Sequence, residues 1–320
     1  MPWYDRFDAL AADRFPDLEI LREEPMARHT TFRVGGPVRR FVRPWYPDQC
    51  AALLTLAAME GWPLLVLGSG SNLLAADGEL DLLVVHTGRM DRVERTGERT
   101  VRAEAGLSLA RLSAFAQRAG LGGLEFAHGI PGSLGGGVTM NAGAYGGEMK
   151  QVLSAVTAWF PRVGIMHLDV QNLDLGYRHS VFSEGQGAVL EAELLLEPRD
   201  PAEIQAVTAE LDRRRREKQP LEYPSAGSTF KRPQGHFAGA LIEQCGLKGC
   251  RIGGAQVSEK HAGFIINTGG AACADILALI AHVQRTVYEQ TGVRLEPEVR
   301  MVPQQGVFAQ KTEEAESAYG

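Results

Sequence analysis

Apolar positions along the chain fall into two rhythms. From Pro47 to Glu60, Leu53, Leu56 and Ala57 share one face at helical spacing, and Gly61 supplies the stop. Pro63-L-L-V-Leu67 and Leu82-L-V-Val85 are short continuous apolar runs, as expected of strands buried on both faces in an α/β layer. Ser108 is placed to cap a helix running to Ala119, with Leu109, Leu112 and Phe115 turned inward and Gly120 at its end. Beyond residue 150 the rhythm changes. The stretches Val152 to Phe160, Gly164 to Leu168 and Ala188 to Leu196 read as strands of an antiparallel sheet. Asp200 and Pro201 open a long helix that carries Arg213, Arg214, Arg215 and Arg216 in succession. Four consecutive residues cover every side of a helix, so part of this run must meet protein and the rest water. A last helix is expected from about Ala274 to Thr291, with Ile276, Ile280, Val283 and Val287 in one stripe and Gly292 at its end.

Glycine interrupts this pattern at one place above all. Eleven of the 28 residues from Gly120 to Gly147 are glycine. Such density weakens helices and strands, and it suits a backbone that must approach a flat or phosphorylated ligand; tight turns between short strands are the plainer reading. Upstream, Gly68-S-G-S-Asn72 follows an apolar strand, so its N–H groups can form a nest for a pyrophosphate. It lacks the third glycine of the dinucleotide fingerprint, because position 73 is leucine, and no G-K-[ST] makes it a nucleotide-hydrolysing loop.

Three polar segments carry candidate chemistry. In an extended Tyr177-R-H-Ser180, Arg178 would project opposite Tyr177 and His179 and could clamp a carboxylate. In Ser225-A-G-S-T-F-Lys231, Ser228 is no serine-hydrolase nucleophile, yet its hydroxyl can donate a proton to a carbanion if cations lower the cost of the alkoxide. In Arg294-L-E-P-E-V-Arg300, Pro297 argues for a rigid extended stretch, in which Glu298 could orient or protonate a substrate while Glu296 meets solvent. Taken alone, each segment reads first as something plainer: a surface arginine at 178, a serine stabilising its own turn at 228 and a solvated charge run at 294–300.

Composition narrows the class. The 320 residues suffice for two or three cores, and 44% apolar with 22% charged residues is ordinary for a globular protein. A net charge of -6 gives no broad basic face for nucleic acid. No apolar run reaches the roughly 20 residues that span a bilayer, and Met1-P-W-Y-D-R-F-Asp8 lacks the basic lead and apolar block of a signal peptide. Cys50, Cys245, Cys250 and Cys273 make neither a disulfide framework nor a zinc set and are expected as unpaired thiols. A cytoplasmic location follows as the expectation.

Taken together and in order, Thr30-T-F-R-V-G-Gly36, Leu67-G-S-G-S-N-L-Leu74, Gly129-I-P-G-S-L-G-Gly136, Asn141-A-G-A-Y-G-Gly147, Tyr177-R-H-Ser180, Pro224-S-A-G-S-T-F-Lys231, Gln256-V-S-E-K-H-A-G-F-I-I-Asn267 and Leu295-E-P-E-V-Arg300 resemble the UDP-N-acetylenolpyruvoylglucosamine reductase family. The form resembled is the family's shorter type, which lacks an inserted tyrosine-bearing loop. The resemblance implies an α+β protein: a two-part FAD-binding region of the vanillyl-alcohol-oxidase/PCMH-like flavoprotein type (residues 1–88 and 89–199), a C-terminal α/β substrate-binding domain (200–303) and a flexible tail (304–320). It implies non-covalent FAD, NADPH as reductant, a UDP-sugar substrate, no metal and a monomer. Arg178, Ser228 and Glu298 are implied as catalytic. Arg33, Gly68, Ser69, Gly70, Ser71, Asn72, Gly132, Ser133, Gly136, Asn141, Ala142 and Gly143 would hold the cofactor. Tyr145, Tyr177, Lys231, Gln256, Lys260 and His261 would touch the substrate. Three departures stand out: Ser133 where threonine is usual, Arg232 in place of asparagine, and Met301-V-Pro303 in place of a hydrophobic residue and glycine. A flavin oxidase of the wider fold, or a non-enzymatic carbohydrate binder, are the alternatives.

Overall fold

The structure is a computed structural model and describes residues 1–183 and 185–302. The expected tail at 304–320 and Pro303 lie outside the described residues. Near the N-terminus a four-stranded sheet runs in the order Glu19–Pro25, Pro37–Arg43, Leu80–His86, Leu64–Leu67. Only the first pair is antiparallel; the others are parallel. The apolar runs foreseen at 63–67 and 82–85 are the two parallel strands, and Leu82, Leu83, Val84 and Val85 are fully buried. The helix Pro47–Met59 covers them, with proline in its first turn. The edge strand Glu19–Pro25 has no clear apolar rhythm, because it is nowhere fully buried and needs none.

A five-stranded antiparallel sheet follows, ordered Gly164–Asp169, Leu153–Phe160, Ala188–Leu195, Thr100–Glu104, Val93–Arg95. The two sheets share one core, in which Leu83 and Val85 join Trp159, Leu190 and Leu194. Ser108 caps the helix Leu109–Arg118 by accepting from the Arg111 N–H at 3.3 Å. Asp200 does the same for Pro201–Lys218 through the Ala202 N–H at 2.8 Å. That long helix packs on Leu109–Arg118 and on the turn Glu125–Ala127.

The C-terminal lobe is a three-stranded meander, Arg251–Ile252, Ala255–Val257 and Ile265–Asn267, backed by helices Ala238–Gln244 and Cys273–Thr291. Ile276, Ile280, Val283 and Val287 face its core, and Gly292 ends the helix at φ 72°. Phe32, Val34 and Leu74 from the N-terminal region enter the same core. The strand Arg300–Val302 then returns to pair in parallel with Leu73–Ala75. Among the described residues no helix is long and apolar enough to cross a membrane. All four cysteines are unpaired thiols.

Two expectations need correction. The glycine run is not helix-free: Leu134–Thr139 is a short helix capped by Ser133. Gly135 and Gly137 make it possible, since added Cβ atoms would sit 3.0 Å from Ala105 Cβ and 3.3 Å from the Leu109 methyls. Nor is Tyr177-R-H-Ser180 extended. Gly176 and His179 exchange both backbone hydrogen bonds across a tight turn, leaving Arg178 at the corner with φ 55°.

Candidate active site

The Gly68–Asn72 turn, the Ile130–Gly137 segment and the Ala142–Ala144 segment form the walls of a cavity of about 630 Å³. Of the residues expected at a cofactor, Gly68, Ser69, Gly70, Ser71, Asn72, Gly132, Ser133, Gly136, Ala142 and Gly143 line it. Close packing accounts for two of the glycines. A Cβ on Gly68 would overlap the Ser133 hydroxyl, and one on Gly70, at φ 61°, would overlap the His29 carbonyl. The N–H groups of Ser69, Gly70, Ser71 and Asn72 have no partner among the described residues. A row of unused backbone donors on a tight turn fits the pyrophosphate of a dinucleotide. The apolar remainder of the lining, including Leu65, Val66, Ile130, Phe182 and Val189, fits a flat aromatic cofactor.

Arg178, Ser228 and Glu298 line the same cavity. The turn at Gly176–His179 aims Arg178 at Glu298, to which its Nε donates, and at the Gly143 carbonyl, 3.5 Å from Nη2. Two strand-like contacts bring Glu298 and Ser228 together. Phe230 bridges Pro297, and the Glu298 N–H donates to the Thr229 carbonyl at 2.8 Å. Asn72 adds a third tie by donating from Nδ2 to the Glu298 carbonyl at 3.0 Å, so it holds a catalytic candidate as well as lining the cavity. Burial raises the Glu298 pKa above the usual carboxylate range, although Arg178 and Lys231 pull it back. Glu296 faces solvent and pairs with Lys231.

Other expected residues lie elsewhere. Arg33 lines a neighbouring cavity of about 840 Å³, not the first one. Asn141 lines neither. Its side chain is used up by the Glu148 carboxylate, the Gly176 carbonyl and the Lys150 N–H at 3.2, 3.0 and 2.9 Å, so it braces the turn that carries Arg178. Tyr145, Tyr177, Lys231, Gln256, Lys260 and His261 line neither cavity. The Tyr177 hydroxyl accepts from the Arg232 N–H at 3.1 Å, Gln256 donates to the Gly249 carbonyl at 3.2 Å, and Lys260 donates to the Arg216 carbonyl at 2.7 Å. His261 accepts from the Gly263 N–H at 3.1 Å and packs edge-on against Phe264, and burial lowers its pKa. Sequence reasoning missed Arg215, Gln219 and Phe264, which line both cavities. The one signal for Arg215 was the four-arginine run.

The joined sheets and the glycine-walled cavity define an FAD-binding flavoprotein with an added C-terminal lobe. Residues 38–168 match the FAD binding domain family, and residues 219–302 match the UDP-N-acetylenolpyruvoylglucosamine reductase C-terminal domain. Over 302 residues the chain is 47% identical to the UDP-N-acetylenolpyruvoylglucosamine reductase of Agathobacter rectalis, covering 91% of this chain and 96% of that one. The Pediococcus pentosaceus enzyme of the same name is 46% identical, with 92% and 98% covered. The crystal structure of the Thermus caldophilus enzyme superposes with a TM-score of 0.76 at 37% identity, over 89% of this chain and 99% of that chain. The chain belongs to the UDP-N-acetylenolpyruvoylglucosamine reductase family.

Proposed function

We propose that this protein reduces UDP-N-acetylglucosamine enolpyruvate to UDP-N-acetylmuramate, a peptidoglycan precursor, with FAD as cofactor and NADPH as reductant. Family membership supports the reaction. The observation that carries it is the convergence of Arg178, Ser228 and Glu298, from three remote segments, on one glycine-walled cavity. The division into two FAD-binding parts, 1–88 and 89–199, and a substrate-binding part to 303 is proposed with it.

Bound FAD supplies the two-electron relay between NADPH and the enolpyruvyl double bond. The residues supply the rest. As the terminal carbon is reduced, negative charge builds on the neighbouring carbon and its carboxylate. Glu298 holds one edge of the Arg178 guanidinium and leaves further N–H groups to meet those oxygens. One such placed donor is worth roughly 3–4 kcal/mol in a transition state. Ser228 donates its proton to the carbon beside the carboxylate. Glu298, with its raised pKa, assists as acid or keeps Arg178 oriented.

The purified protein is expected to be yellow, and its consumption of NADPH, followed by absorbance, to require the enolpyruvyl UDP-sugar. Colourless protein points instead to a carbohydrate binder. NADPH loss indifferent to that sugar points to a flavin enzyme with another substrate.

A further inference from the structure

Three arginines line the first cavity: Arg178, Arg215 and Arg300. Two are engaged. Arg178 pairs with Glu298, and Arg300 donates to the Ser183 carbonyl. Arg215 differs. It is 92% buried on 8% exposure, and among the described residues its guanidinium has neither an ion pair nor a hydrogen bond. Asp212, one turn earlier, pairs with His128 at 3.4 Å instead. The Tyr145 ring lies 5.6 Å from the guanidinium carbon, and Gly129 gives it room, because a Cβ there would overlap the guanidinium. The last-turn position on Pro201–Lys218 gives only a partial counter-charge from the helix dipole.

A buried cation that has the Tyr145 ring beneath it but no counter-ion among the described residues still costs several kcal/mol. A protein that keeps one against a ligand cavity implies that negative charge develops there once the ligand is bound or reduced. The phosphates are already provided for by the unused N–H groups of the Gly68–Asn72 turn. Arg215 shares its wall with Gln219, Phe264 and Gly227, the residue before Ser228, in the cavity that Arg178 and Glu298 also line. We infer that Arg215 is the fixed positive charge facing the ring system of the bound flavin, and that it tunes the flavin's reduction potential. A cation beside the ring favours the reduced form, which carries one more negative charge. This rests on the proposed FAD-dependent function.

The test uses flavin-loaded full-length protein with Arg215→Met, Arg215→Gln and Arg215→Lys. Flavin content is read from absorbance, the midpoint potential against reference dyes, and sulfite affinity from bleaching of the yellow band. Both neutral variants are expected to keep FAD while the reduction equilibrium falls at least tenfold, about 30 mV for a two-electron couple. Sulfite binding should weaken at least tenfold, and Arg215→Lys should stay near the wild type. Neutral variants that retain FAD with wild-type potential and sulfite affinity overturn the inference alone. So does a variant that is folded by circular dichroism but empty in excess FAD, because Arg215 would then serve binding and not redox tuning. Wild-type protein that carries no flavin overturns this inference and the proposed function together.

Discussion

Replacing Ser228 with alanine removes one hydroxyl from the cavity wall and no hydrogen bond, since none is formed by that side chain among the described residues. Its proposed task belongs to one half-reaction only. Ser228→Ala should therefore leave flavin reduction by NADPH near wild type and slow reoxidation by substrate by about 10²–10⁴-fold, the usual contribution of a placed proton donor. Stopped-flow traces that show both half-reactions slowed equally would sink the assignment. Glu298 makes a matching pH prediction. Its folded pKa is raised, so it keeps its proton above the normal glutamate range and loses it as pH climbs through that raised value. If the protonated form assists, single-turnover reoxidation falls on the alkaline side of that value. Glu298→Gln abolishes the limb at a lower overall rate, whereas a limb unchanged in the variant would assign it to another group. Motifs of the family resemblance singled out Ser228 and Glu298, but that their segments adjoin is visible only in the fold. The six expected substrate side chains were less legible. Gln256, Lys260 and His261 are held by hydrogen bonds at Gly249, Arg216 and Gly263, Tyr177 by the Arg232 N–H, Lys231 by Glu296 and Tyr145 against Arg215, and nothing in a linear pattern says which wall of a cavity a long polar side chain reaches.

Helical geometry separates the four arginines that the sequence strings together. Steps of about 100° turn each to a different environment. Arg213 and Arg214 meet Glu210 on the solvent side, Arg216 lines the second cavity, and Arg215 alone is driven inward. The run was visible, but which member faces inward depends on the packing against Leu109–Arg118. The short helix inside the glycine run was hidden for the same reason: glycine is costly in an isolated helix, yet Leu134–Thr139 needs it to lie close on Ala105 and Leu109. At the end of the strand Leu80–His86, burial pushes the His86 pKa down to about 4, helped by His29 and Arg43 and opposed by a hydrogen bond with the Gly68 backbone. The unfolded histidine titrates near 6.5. A depressed folded pKa gives stability that is fully present above about pH 6.5 and is lost as pH falls toward about 4, up to about 3 kcal/mol. His86→Leu should flatten the decline of urea-unfolding stability across that window. An identical slope in the variant would show that other groups carry the acid sensitivity.

Across the whole molecule, the proposed catalytic groups are brought together by the joint between the N-terminal sheets and the C-terminal lobe. The strand Arg300–Val302 returns to Leu73–Ala75, directly after the Gly68–Asn72 turn, and the Arg300 N–H donates to the Asn72 carbonyl at 2.9 Å. Asn267 reaches across to the Phe32 carbonyl at 3.0 Å. Asp77, from the N-terminal region, accepts from the first amides of the helix Cys273–Thr291, Cys273 N at 2.6 Å and Ala274 N at 3.0 Å. A carboxylate on a helix N-terminus both satisfies orphan donors and meets the positive end of the dipole. Here the cap and the helix are 196 positions apart in sequence, so no local capping signal announced it. Asp77→Ala leaves those amides without their partner and should cost about 1–2 kcal/mol of unfolding free energy. Because the same joint fixes Glu298 beside Ser228, while the glycine loops proposed to hold FAD belong to the N-terminal region, turnover should drop more than flavin content. Equilibrium denaturation, steady-state turnover and flavin absorbance on one preparation separate these effects. Flavin loss matched to activity loss would mean that the joint holds the cofactor itself, and not the alignment of the residues around it.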